Sequence, residues 1–172
     1  MPNFRRYYIP DSLVFITSVT NMRYPFLEGK NAGTLYAVMN RVKLIHPYEI
    51  VAYSILPDHF HWIILPQDAR GDFSTIMHSV KLNFSRQWRK ENPDQQPIKL
   101  WQNRFWDHVI RDEDDLSRHI DYIHWNSVKH QVALKPDDWK ASSFQIYVDQ
   151  GYYESDWGSD GEPKRLAGIN WE

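Results

Sequence analysis

From Tyr48 to Leu65 the chain is an almost continuous run of apolar and β-favouring residues, broken once, by Pro57-Asp58. A turn that short joins neighbouring segments running in opposite directions. The fold is therefore expected to form around an antiparallel hairpin with strands Tyr48 to Leu56 and His59 to Leu65. Ser12 to Thr20, rich in Val, Ile, Phe and Thr, reads as a further strand. Asn31 to Ile45 carries Leu35, Val38, Met39, Val42 and Ile45 at helical spacing until Pro47 stops it. Asp72 is placed to cap a helix whose apolar stripe is Phe73, Ile76, Met77, Val80, Phe84 and Trp88, ending near Asn92-Pro93, and Arg104 to Ile110 reads as a last strand. The order β-α-β-β-α-β is the split arrangement of a ferredoxin-like α+β domain. Both helices then lie on one face of the sheet, and the other face is expected to stay open for a substrate.

The second strand of the hairpin opens with His59-Phe60-His61. The period of two in an extended chain sends both imidazoles to one face and Phe60 and Trp62 to the other. Neutral imidazole suits Mn, Zn, Ni and related ions and needs no counter-charge. With eight His in 172 residues a His-x-His pair also arises by chance, so two half-exposed strand histidines are the competing reading.

Composition narrows the class. A chain 42% hydrophobic and 15% aromatic can bury one good core, most simply as a domain over 1–150 followed by an acidic tail over 151–172. The tail could be disordered, cover a DNA-binding face or pack as an irregular extension. The lack of Cys removes disulfides and thiolate chemistry and fits a reducing compartment. No apolar stretch follows the charged N-terminus, and none approaches the ~18 residues of a membrane span, so a cytoplasmic protein without a membrane partner is expected. The net charge of −2 conceals an asymmetry: residues 1–90 hold 11 Lys and Arg against 6 Asp and Glu, and residues 91–172 hold 9 against 16. A basic first half is compatible with a nucleic-acid partner, because local potential steers a polyanion.

Asp112 to Lys129 begins with acidic residues suited to a helix N-terminus. In such a helix His119, Tyr122 and Asn126 share a face. Taken alone, a tyrosine there is a helix–sheet contact with its hydroxyl at the rim.

Four ordered blocks carry a family resemblance. Ala52-Tyr53-Ser54-Ile55-Leu56-Pro57-Asp58-His59-Phe60-His61 resembles the "vMPNHxH" strand pair of IS200-like tyrosine transposases. Leu100 to Asp112 and Tyr122 to His130 resemble the "lWQxrfwdHvIRde" and "YIhxNPvkHg" blocks of the REP-associated branch, and Trp139 to Tyr147 resembles its Trp-x2-Ser-Ser-Phe-x2-Tyr pattern. The resemblance covers roughly residues 7–157. Two departures stand out. Asp58 replaces the usual Asn, and Ser127 the usual Pro. Asp58 either bonds a histidine N–H or closes the turn, and the turn is the preferred reading.

The resemblance implies an HUH-type nuclease that cuts and rejoins single-stranded DNA at hairpin-forming, REP-like palindromes through a 5′-phosphotyrosine at Tyr122. It implies Mg²⁺ or Mn²⁺ held by His59 and His61, with Asn126 as third ligand where relatives place an amide; a helix-end hydrogen bond is the other reading of Asn126. His119 could assist the tyrosine proton or be a surface histidine, and His124 is a weaker alternative ligand. No role follows for His108 or His130. DNA contacts are expected from the basic half: Arg5, Arg6 and Arg23 among Tyr7, Tyr8 and Tyr24, and Lys81, Arg86, Arg89 and Lys90 off the apolar stripe of the Asp72 helix. Swapped dimers and monomers both occur in such transposases, so Tyr122 could face His59 and His61 of its own or a partner chain. A hairpin-binding module without strand transfer is the competing function, and a water-using phosphodiesterase a third.

Overall fold

A computed structural model describes residues 6–95 and 98–171. Its four strands are β1 (Val14–Val19), β2 (Tyr48–Ile55), β3 (His59–Pro66) and β4 (Trp106–Val109), and its helices are α1 (Lys30–Val42), α2 (Phe73–Glu91), α3 (Glu113–Lys129) and α4 (Phe144–Asp149). The strands form one antiparallel sheet in the order β2-β3-β1-β4. This is the expected split β-α-β-β-α-β core, with β1 and β3, the two most apolar strands, at its centre.

Alternation along the strands divides the sheet cleanly. Val14, Ile16, Phe60, Trp62 and Ile64 face α1 and α2 and join Leu35, Val38, Met39, Ile76, Val80 and Phe84 in the main core. Asp72 caps α2 as expected, its carboxylate accepting from the Thr75 amide at 3.0 Å. The sequence reading extends α1 too far. The helix ends at Val42, and Ile45 is exposed rather than part of the stripe, because 43–46 turns the chain toward Pro47. A bulge between Ile50 and Ala52 shifts the β2 register, so that Ile50 and Tyr53, three apart, both lean on the main core.

The opposite sheet face departs from expectation. It is covered, not open. Phe15, Ala52 and Ile63 pack under Tyr122 and Ile123 of α3 and under Leu166 near the C-terminus, with Ile169 and Trp171 beside them. After α3 the chain doubles back along the edge of β2. There Ile55 N donates to Ala141 O (2.8 Å), Ser143 N to Tyr53 O (2.9 Å) and Trp139 Nε1 to Ile55 O (3.0 Å). These bonds satisfy an edge that would otherwise template another strand. Residues 151–171 then cross α3, where the Tyr153 hydroxyl donates to Asp121 (2.6 Å), and finish against the covered face. None of the described helices is long and apolar enough to cross a membrane.

Candidate active site

The covered face is where the sequence-predicted residues meet. Register places Thr17 of β1 and Ser54 of β2 opposite His61, and Val19 opposite His59. Both imidazoles are fully buried, against the expectation of an open ligand face, but they lie in a polar seam beneath α3 rather than in the apolar core under α1 and α2. Their ring centroids are 4.9 Å apart.

Each imidazole is held through Nδ1. His59 Nδ1–H donates to the Asp58 carboxylate at 2.6 Å, and the other Asp58 oxygen accepts from Arg23 at 3.1 Å. Asp58 thus orients a histidine as well as ending the hairpin, which corrects the preference for a turn alone. Burial by itself would raise its pKa. The hydrogen bonds and charges of His59 and Arg23 outweigh that and hold it down to about 2. The Thr17 hydroxyl lies 2.7 Å from His61 Nδ1 and donates its proton to the Trp171 carbonyl (3.2 Å), so it accepts from His61 Nδ1–H.

Helix α3 supplies the facing groups. Asp112 caps it, accepting from the Asp115 amide at 2.8 Å, and Glu113, Asp114 and Asp115 fill its first turn. Asn126 Oδ1 sits 3.1 Å from His59 Nε2. A proton-free Nε2 would make this a pairing of two acceptors, and Asn126 Nδ2 is buried with no partner among the described residues. A flipped amide would make an ordinary hydrogen bond; with the oxygen presented, the two lone pairs converge as ligands of a cation do. Two imidazoles and an amide oxygen suit a divalent ion that also takes phosphate oxygens, so the residues present fit Mg²⁺ or Mn²⁺.

One turn before Asn126, the Tyr122 ring meets His61 edge-on with centroids 5.3 Å apart, within the same chain. Tyr122 is 1% exposed. Its hydroxyl oxygen accepts from Lys129 Nζ at 2.9 Å and lies 3.4 Å from the Trp171 amide. The C-terminal segment is the cover: Lys129 also bonds Asn170 (2.9 Å), and the Trp171 indole stacks on His119 with centroids 3.8 Å apart.

His119 is not a surface histidine. It is buried, its Nδ1 is 2.8 Å from the Asp115 carbonyl of its own helix, and burial holds its pKa down to about 4, so it is a neutral ring at physiological pH. With His108 and Asp115 it forms the one His/Asp group among the described residues with metal-like spacing. Asp115 Oδ2 there already accepts from His108 (2.8 Å), the Arg111 amide (3.0 Å) and Arg111 Nε (3.3 Å), which marks a strut between β4 and α3 rather than a cation seat. His124 faces away from the site, 2.8 Å from Ser143 Oγ, which removes it as an alternative ligand. His130 packs on His59 with centroids 4.6 Å apart.

The basic residues do not form one patch. Arg6 binds Asp107 (2.9 Å) and lies over the Phe105 ring. Lys81 bonds the Gln102 carbonyl (3.2 Å), and burial with Arg6 and Lys99 nearby lowers its pKa to about 8. Arg23 stands beside the histidines through Asp58. Arg86 and Lys90 line a cavity of about 720 Å³ between α1 and α2 with Arg41, and Arg89 reaches the Ile98 carbonyl (3.4 Å). Arg5 lies outside the described residues. Sequence reasoning missed Thr17, Lys129 and Trp171. Lys129 was within reach, two turns from Tyr122 on one helix; Thr17 needed the strand register, and Trp171 the path of the tail.

A buried His-x-His strand crossed by a tyrosine helix on a split α+β sheet defines a class, and the family model described as "Transposase IS200 like" matches residues 11–126. The chain belongs to the IS200-like transposases. Within them its relatives are REP-associated tyrosine transposases. The Escherichia coli (strain K12) protein of that name is 35% identical over 161 residues, 93% of each chain, and a Haemophilus influenzae relative is 33% identical over 176 residues, 98% of this chain and all of that one. A solved structure described as the REP-associated tyrosine transposase bound to a REP hairpin superposes with a TM-score of 0.81 at 34% identity, covering 95% of this chain and 94% of that one.

Proposed function

We propose that this protein is a divalent-metal-dependent single-strand DNA nuclease and strand transferase. It recognises a hairpin-forming palindrome of REP type, cleaves beside it through a 5′-phosphotyrosine on Tyr122, and rejoins strands. The observation that carries the reading is the convergence of His59, His61, Asn126 and Tyr122 on one buried seam of a single chain. Mg²⁺ or Mn²⁺ held by His59, His61 and Asn126 would supply Lewis-acid polarisation of the scissile phosphate. The chain's own groups do the rest. Asp58 and Thr17 fix the two imidazoles through Nδ1, and the helical spacing of Tyr122 and Asn126 sets the attacking oxygen one turn from the amide. The Tyr122 oxygen attacks phosphorus, the 3′-oxygen departs, and a later 3′-hydroxyl reverses the step, so the energy of the phosphodiester is kept in the enzyme–DNA bond. A single chain carries the whole set, so a monomer suffices, acting on DNA in the cytoplasm.

Arg23, beside the seam, is the best placed of the sequence-predicted cations to meet the scissile strand. Arg6 and Lys81, and separately Arg86, Arg89 and Lys90, serve the flanking backbone, the task the sequence alone also assigns to Arg5. The test is incubation of the protein with Mn²⁺ and labelled single-stranded hairpin DNA. A covalent adduct that Tyr122→Phe abolishes is expected. Hairpin binding without any adduct across divalent metals would leave a binding module, and cleavage surviving Tyr122→Phe would mean water is the nucleophile.

A further inference from the structure

We infer that Lys129 is a further catalytic residue, whose ammonium stabilises the negative charge that develops on the Tyr122 oxygen as its bond to phosphorus forms and breaks. The inference rests on the nuclease reading above.

The geometry is direct. Lys129 Nζ donates to Tyr122 Oη at 2.9 Å and lies 4.8 Å from the centroid of the same ring. Both residues belong to α3, seven positions apart, so two turns of helix hold them on one side and the pairing does not depend on the tail. Lys129 is the last residue of α3, where the helix carbonyls favour a cation. The second bond from Nζ, to Asn170, uses a different donor of the three that an ammonium has. The seam is buried, and there a hydrogen bond from a charged donor is stronger than in water. Lys129 is thus distinct in task from His59, His61 and Asn126, which face the phosphate.

The chemistry balances as follows. In cleavage the Oη–P bond forms as the P–O3′ bond breaks; the phenol proton passes to solvent water and the departing 3′-oxygen takes a proton from it. In joining, an incoming 3′-hydroxyl attacks phosphorus and loses its proton to water, and the electron pair of the breaking P–Oη bond returns to Oη. The Lys129 ammonium holds that oxygen through its hydrogen bond while the oxygen regains a proton from water. Negative charge develops on Oη both as it attacks in cleavage and as it leaves in joining, so one cation serves both directions.

The experiment is single-turnover adduct formation and resolution with Mn²⁺ and a labelled hairpin oligonucleotide, comparing wild type, Lys129→Met, Lys129→Arg and Tyr122→Phe, with hairpin affinity and thermal melting measured on each. Lys129→Met is expected to slow both steps by roughly ten- to a hundredfold with hairpin affinity unchanged, and Lys129→Arg to keep most of the rate. A second arm places 3,5-difluorotyrosine at position 122. This more acidic phenol needs less help, so it should restore much of the rate in Lys129→Met while changing wild type little. Equal rates for wild type and Lys129→Met, or a slow Lys129→Met that the fluorinated ring does not relieve, would overturn the proposal alone. No adduct from wild type would overturn the nuclease reading and this proposal with it.

Discussion

Asp58 shows how one side chain links the hairpin turn to the chemistry. Its carboxylate accepts hydrogen bonds from His59 Nδ1–H at 2.6 Å and from the Arg23 guanidinium at 3.1 Å, which orients the imidazole with Nε2 facing Asn126. A carboxylate behind a ligating histidine makes that ligand more basic than an amide would. Asp58→Asn keeps an oxygen for the bond but removes the charge, and Mn²⁺ should then bind about tenfold more weakly by calorimetry. Equal affinity would reduce Asp58 to a turn former. At this scale the sequence is informative about faces. The period of two puts His59 and His61 on one side of a strand whatever surrounds them. It says nothing of partners: Thr17 is 44 residues from His61 and meets it only through strand register.

Helix α3 is buried on more than one side, and each side carries a different kind of group. Tyr122 and Asn126 face the sheet. His124 packs against Phe144, Tyr147 and Tyr153, and burial pushes its pKa down to about 3. The stability consequence has a definite sign. Above pH ~6.5 neither folded nor unfolded chain protonates this imidazole; below it the unfolded chain takes a proton that the folded chain refuses, so stability falls as pH drops from about 6.5 toward about 3. Urea unfolding should therefore weaken between pH 6.5 and 4.5 by up to roughly 1.4 kcal/mol per pH unit from this group, and His124→Gln should flatten that slope. An unchanged slope in the variant would show that His124 is charged in the fold. Asp115 adds to the loss at lower pH: His108 and Arg111 overcome its burial and hold its pKa down to about 2, so its contribution disappears between about 4 and 2. The helix itself was legible from its acidic start. Its docking on the supposedly open face was not, because a helix with apolar residues on several sides does not announce which side meets the sheet.

Across the whole molecule, the C-terminal segment decides whether the seam is accessible. Leu166 is 1% exposed, Trp171 lies on Tyr122 and His119, and the Trp171 carbonyl holds Thr17. With this segment in place the Tyr122 oxygen is covered, so the proposed reaction requires the segment to lift. Removing residues 164–172 should speed adduct formation and lower the melting temperature, since Leu166 alone contributes about 2 kcal/mol of burial. An unchanged adduct rate in the truncated protein would mean that lifting is fast relative to the chemistry. The basic residues tell the same story of scale. They cluster in the first half of the chain, yet folding sends Arg6 and Lys81 to the side of β4 and Arg86 and Lys90 to the groove between α1 and α2. What the sequence by itself determined is whatever local periodicity and capping govern: the hairpin, the two-layer β-α-β-β-α-β core, the shared face of His59 and His61, and the one-turn spacing of Tyr122 and Asn126. Tertiary structure alone decided that the histidines are buried under α3, that Thr17 holds His61, and that the tail closes over both and over Tyr122. Those contacts join residues far apart in the chain, and their pairing depends on which surfaces bury together, which no short window of sequence encodes.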